Sequence, residues 1–239
     1  MPTKTVTLFF ISLFLMADQA QAKIYMRFSL TPATYYSVLS TVNATGGSAK
    51  LASELSYFLE PEFGLKFGKK FEWLLRGEIN AVKYVSPVDF SLNNQTGKIY
   101  AAYTGFGLYF GNFWLHLVGG RVKENFLNSS SQAALVLETA FLTRLSLEPH
   151  IAIFNSKNTA FFFSPFGSYY FPQNTSMFVL KNGFAYGGGL KLAFQFDAAS
   201  LILFSDYYLK SFVTGQGTQK TTDLFLGFTF SGFSKDFYK

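Results

Sequence analysis

The stretch Leu55-Ser-Tyr-Phe-Leu-Glu60-Pro-Glu-Phe-Gly-Leu65-Lys-Phe-Gly68 decides the fold. Its odd positions, Leu55, Tyr57, Leu59, Pro61, Phe63, Leu65 and Phe67, are apolar, aromatic or proline. Between them lie Ser56, Phe58, Glu60, Glu62, Gly64, Lys66 and Gly68. A β-strand turns successive side chains to opposite faces, so this segment has an oily face and a charged face. A soluble sandwich would bury the first and wet the second. Here the alternation recurs along nearly the whole chain, with no helical stretch to cover it. That suits a barrel with lipid outside and polar groups inside.

The N-terminus reads as a secretory signal peptide over residues 1–22. Lys4 supplies the positive start, Leu8 to Ala17 the apolar run, and Ala20-Gln21-Ala22 the cleavage signature. The run is too short for a spanning helix. The remaining residues, 23–239, are expected to form a single β-barrel domain. The chain has no cysteine, which excludes disulfides, thiol nucleophiles and thiolate metal sites. Removing Lys4 and Asp18 leaves the net charge at +6. With secretion and the strand pattern, that charge points to anionic lipid or lipopolysaccharide rather than to nucleic acid.

About ten strands can be placed. They cover residues 23–34, 51–67, 71–85, 98–110, 113–123, 133–142, 145–154, 180–196, 200–210 and 221–232. Residues 133–154 are read as a hairpin turning at Thr143-Arg144, a placement weakened by Pro149, which cannot donate to a ladder. Residues 155–179 are read as a long aromatic loop containing Phe161, Phe162, Phe163, Phe166, Tyr169, Tyr170 and Phe171. Short connections alternate with long ones, as in bacterial outer-membrane barrels with short periplasmic turns and long outer loops. The expectation is an all-β, transmembrane, antiparallel up-and-down β-barrel of about ten strands, eight being the main alternative.

On these features the chain resembles the class of small monomeric bacterial outer-membrane β-barrel proteins, over nearly all of residues 23–233. The resemblance rests on pattern; no narrower family is assigned. Asp223-Leu-Phe-Leu-Gly-Phe-Thr-Phe230 looks like the aromatic C-terminal signal read by the barrel-insertion machinery. Ser231–Lys239 extends beyond it, where such chains usually stop at the aromatic residue. The resemblance implies a porin-like, cell-surface protein of a Gram-negative outer membrane, monomeric, with that machinery as a partner during biogenesis.

By parity the inward acids are Glu60, Glu62, Glu72, Glu78, Glu138, Glu148, Asp206 and Asp223. The inward bases are Arg27, Lys66, Arg76, Arg144, Lys191 and Lys210. The signs are mixed, so the charges can pair across a narrow lumen and fill it. Glu60, Glu62, Lys66, Arg76, Glu78, Glu138, Glu148, His150, Lys191 and Asp206 are the expected lumen charge network. Arg76 and Glu78 should meet Glu60, Glu62 or Lys66 across the hairpin at Gly68. His116 and His150 also face inward. Neither stands in a His-x-Ser motif, and Asp206 has no histidine two residues on, so no catalytic residue is assigned and an enzyme is not expected. No phosphate loop or metal-ligand spacing appears, and no metal or cofactor is expected.

Lys50, Lys83, Lys98, Arg121, Lys123, Lys157, Lys181, Lys210 and Lys220 are placed towards the outer end, against only Glu54, Asp89 and Glu124. Lys83, Lys98, Arg121 and Lys123 share the lipid-facing parity and form a candidate lipopolysaccharide-binding rim. The expected function is an integral outer-membrane barrel presenting surface loops, in a structural or interaction role with lipopolysaccharide contacts. A narrow channel for small polar solutes is the alternative, and an outer-membrane enzyme the third.

Overall fold

The computed structural model describes residues 24–233, apart from 45, 86–90, 94–95, 132–133 and 177. Side chains of 91–93, 129–131 and 134–135 are also left undescribed. The expected signal peptide, the end of the tail and Asp89 therefore lie outside the described residues.

Thirteen strands are described: β1 (Ile24–Asn43), β2 (Ser48–Ser53), β3 (Ser56–Phe67), β4 (Phe71–Val85), β5 (Ser91–Asn93), β6 (Thr96–Phe110), β7 (Phe113–Ser131), β8 (Ala134–Asn155), β9 (Thr159–Tyr170), β10 (Gln173–Asn174), β11 (Val179–Gln195), β12 (Ala199–Thr214) and β13 (Gly217–Phe233). Ten of them close an antiparallel ring in the order β1, β3, β4, β6, β7, β8, β9, β11, β12, β13 and back to β1. The closing seam runs from Arg27↔Phe233 to Asn43↔Gly217. β2 continues β3 towards the outer end. β1 pairs Tyr35 with Ser56 but Val38 with Ala52, so the partner strand carries one extra residue at Glu54-Leu55, a bulge.

The period-two reading holds around the wall. In β1, Ile24, Met26 and Phe28 are more than half exposed, while Arg27, Ser29 and Thr31 between them are buried. Leu75, Ile79, Tyr186, Leu190, Leu224, Leu226, Phe228 and Phe230 continue the exposed apolar belt on other strands. Tight turns at Gly68–Lys70, Gly111-Asn112, 156–158 and 196–198 lie at the end that holds both termini of the ring. Gly68 and Gly111 sit at φ 63° and 62°, where a side chain would be strained.

Two expectations fail together. Residues 133–154 are not a hairpin: β8 runs unbroken through Thr143-Arg144. The aromatic loop instead contains a wall strand, β9. Pro149 is tolerated because the β8–β9 ladder skips from Leu147↔Gly167 to Ile151↔Phe163, where it would stand opposite Pro165. Moving the turn to 156–158 puts Lys157 at the inner end, not the outer one. The strand total survives because one error removed a strand and the other added one.

The outer half of the β7–β8 hairpin leaves the wall. β7 stays paired to β6 only as far as Val122↔Ala101, and β8 to β9 only as far as Arg144↔Tyr170. Beyond that, alternation stops: Glu124, Asn125, Phe126 and Leu127 are all buried. Phe126 packs on Phe178 and Phe212 at ring separations of 4.4 and 5.2 Å. Leu127 and Leu137 pack into a cluster with Leu39, Leu51, Val82 and Tyr84 from β1, β2 and β4. Leu137, which by strand parity would face lipid, is 4% exposed for this reason. At Glu124–Leu127 the hairpin is thus seated inside the outer mouth with both faces covered.

A strand that leaves its ladder must find new partners for its backbone groups. Two glutamine amides supply them. Gln219 of β13 accepts from the Leu127 N–H and donates to the Asn125 carbonyl, both at 2.8 Å. Gln173 of β10 accepts from the Thr143 N–H at 3.1 Å and donates to the Phe141 carbonyl at 2.5 Å. Each amide stands in for one rung of the lost ladder on its side of the hairpin. Gln219→Ala should therefore destabilise the barrel by about 1–3 kcal/mol, the cost of stranding buried backbone groups. A heat-modifiability gel would read this as an earlier loss of the compact band, and an unchanged transition would refute the clamp.

Candidate functional site

The interior of the barrel is built from inward residues of all ten wall strands, ordered by height. Near the inner end, Arg27 of β1 reaches Glu62 of β3 at 2.6 Å and Glu72 of β4 at 2.9 Å. Tyr109 of β6 also donates to Glu72, and Lys66 stands 4.6 Å from the Tyr109 ring centre. Glu72 has room because Gly64 beside it has no side chain; a Cβ there would run into its carboxylate.

At mid-height, Arg76 of β4 joins three acids. Its Nε lies 2.7 Å from Glu62 and 3.6 Å from Glu60, and its Nη1 donates to both oxygens of Glu148 at 3.0 Å. Glu78 pairs with Arg144 at 3.4 Å and accepts from Tyr103, over whose ring Arg144 lies. Higher still, Lys210 of β12 lies 3.0 Å from Glu124 and 3.3 Å from Asp223. Tyr170 donates to the same Glu124 at 2.8 Å. Above this layer comes the apolar mouth described above.

Of the expected lumen set, Glu60, Glu62, Arg76, Glu78 and Glu148 are brought into one neighbourhood. Lys66 stays at the inner layer. His150, Lys191 and Asp206 line the same central cavity of about 210 Å³. Glu138 stands apart on the inserted hairpin, where it accepts from Asn128 at 3.4 Å. Glu124, read from the sequence as an acid of the outer end, is a lumen acid. Its parity with Val122 was the available signal, hidden by the polar run that follows it.

One group was not legible as a motif. Opposed pairs on β7 and β8 set His116 against Glu148 and Trp114 against His150. One potential ligand atom from each of His116, Glu148 and His150 lies within 4.8 Å of the others. His150 Nδ1 is held by Ser164 Oγ of β9 at 2.8 Å. The two imidazole rings meet edge to face at 5.1 Å. Both ring nitrogens of His116 are buried without a hydrogen-bond partner. The ring fits because Gly107 stands next to it on β6. These ligands come from two strands, so their sequence spacing matches no metal-binding signature.

The four candidate rim bases lie on the outward face towards the outer ends of β4, β6 and β7. Lys83, Lys98 and Arg121 are exposed, and Lys123 is half-buried against the rings of Tyr100 and Phe141. Lys83 also pairs with Glu54 at 2.9 Å.

No family model and no curated protein matches the chain. Among solved structures it is similar to the β domain of the Bordetella autotransporter BrkA, at 10% identity and TM-score 0.38, covering 88% of this chain and 99% of that one. It is similar to Ail, the attachment invasion locus protein of Yersinia pestis, at 11% identity and TM-score 0.36, covering 86% and 98%. It is similar to an outer membrane channel from Pseudomonas putida F1, at 10% identity and TM-score 0.34, covering 86% and 95%. Likenesses this distant add nothing to the chain's own geometry. The closed ten-strand ring, its apolar belt and its polar interior are those of a bacterial outer-membrane β-barrel.

The Arg76 cluster gives a direct test of the lumen. Arg76→Ala strands Glu148 and leaves Glu62 to Arg27 alone, both acids being largely withdrawn from solvent, and should cost about 3–5 kcal/mol. Lys220→Ala, at an exposed site, should stay within about 0.5 kcal/mol. Equal melting temperatures for the two variants would contradict the paired-lumen reading.

Proposed function

We propose that this protein is a closed outer-membrane barrel whose work is done at its outer surface, in contact with the envelope, and not by passing solutes. The observation that carries the reading is the β7–β8 hairpin in the outer mouth, where Glu124–Leu127 are buried on both faces. Beneath it the lumen charges are committed to one another in layers. A pore selective for ions would more often carry a ring of one sign and a continuous wet path. The role is structural and binding rather than catalytic.

The outer rim supports a lipopolysaccharide contact. Lys83, Lys98, Arg121 and Lys123 occupy neighbouring strands at the level where outer-leaflet phosphates would lie, and Lys and Arg bind phosphate well. The ring contacts of Lys123 hold its stem against the wall and leave the ammonium near the rim.

A channel for small polar solutes is the competing reading, favoured by the polar cavity below the hairpin. Planar-bilayer recordings separate the two. The purified protein should show no steady single-channel conductance, and reproducible conductance steps would overturn the closed-barrel reading. Alanine at all four rim bases should weaken binding to purified lipopolysaccharide and lower thermal stability in its presence. If neither changes, the basic rim serves solubility alone.

A further inference from the structure

We infer that His116, Glu148 and His150 form a binding site for one divalent transition-metal ion inside the barrel. The donors are two imidazoles and a carboxylate, with one ligand atom from each within 4.8 Å of the others. Zinc and its neighbours take this donor set, whereas calcium and magnesium prefer all-oxygen ligands. The second observation is His116 itself. It is 7% exposed, and neither ring nitrogen has a hydrogen-bond partner. A buried polar group without a partner calls for an explanation, and a site for an ion supplies one.

The surroundings are those of a ligand set held from behind. Ser164 takes His150 Nδ1 at 2.8 Å, which leaves Nε2 as the nitrogen available to a metal. Arg76 holds Glu148 through a single nitrogen shared by both oxygens, so each oxygen keeps a lone pair for a metal. Such outer contacts fix the orientation of ligands and tune the metal. His116 is held by packing on Gly107 and by its ring contacts with Tyr109 and His150, so it is free to close in on an ion. All three donors border the central cavity, which leaves a coordination position open to water.

Charge decides whether an ion is tolerated there. Among the described lumen residues Glu60, Glu62, Glu72, Glu78, Glu124, Glu148, Asp206 and Asp223 outnumber Arg27, Lys66, Arg76, Arg144, Lys191 and Lys210, eight to six. The lumen therefore carries no excess of basic groups that would repel an ion. Lys191 opposes binding from the cavity wall, so its removal should tighten the site.

The experiment uses the full folded barrel in detergent, without a histidine tag and stripped with a chelator. Titration with cobalt(II) should give visible absorption bands that saturate with one ion per chain, and zinc should displace them. His116→Ala should abolish the bands, Ser164→Ala should weaken affinity about ten- to a hundred-fold, and Lys191→Met should strengthen it. Each variant is first shown to be folded by its heat-dependent gel shift. Should His116→Ala fail that check, Ser164→Ala and Lys191→Met carry the decision. No saturable binding, or binding unchanged in the folded variants, would overturn the site. The outcome does not depend on whether the barrel conducts.

Discussion

In hydrocarbon no water is at hand to satisfy a backbone N–H or C=O, and every other feature of this molecule follows from that. A sheet with free edges would leave two rows of such groups exposed to lipid. The seam between β1 and β13 removes both edges at once. Closure fixes the number of strands and the face each residue shows. It also fixes the width of an interior that must then be filled. The exposed belt of Ile24, Met26, Phe28, Leu226 and Phe230 is tolerable only because the ring sits in an apolar medium.

The interior solves a packing problem with charges. Ten strands enclose more space than side chains fill by chance, and long charged side chains reach across it in pairs. Arg27, Arg76, Arg144 and Lys210 each pair with acids on other strands, so the wall is cross-braced at three heights. Glycine takes part by omission: Gly64, Gly107 and Gly189 leave room for Glu72, His116 and Asp206 to lean sideways. At the outer end the brace changes character, and leucine and phenylalanine from an inserted hairpin take over from ion pairs.

How far the sequence could be read followed from where period two held. Segments with one apolar and one polar face, such as Leu55–Phe67 and Phe71–Val85, were placed within a residue or two at the barrel's inner end. The reading failed where both faces are apolar. Phe161, Phe162 and Phe163 look like a loop cluster, yet Phe162 packs on Trp114 in the lumen while Phe163 meets lipid. It failed again beyond Val122, where a strand buried on both faces has no alternation left to detect. Pro149 counts against a strand because a proline removes one donor, but nothing local reveals that the neighbouring ladder skips that rung. Individual lumen charges were legible by parity. The His116–Glu148–His150 group was not, because its members meet only through the pairing of two strands.

Gln219 lies on β13, the strand that completes the ring, while the hairpin it grips comes from the middle of the chain. Without β13 in place the amide that seats Leu127 is absent, and the hairpin's buried Leu127 lacks part of its socket. Sealing of the mouth is therefore subordinate to completion of the wall. The same glutamine that caps a broken ladder thereby serves as a latch between the closing strand and the mouth.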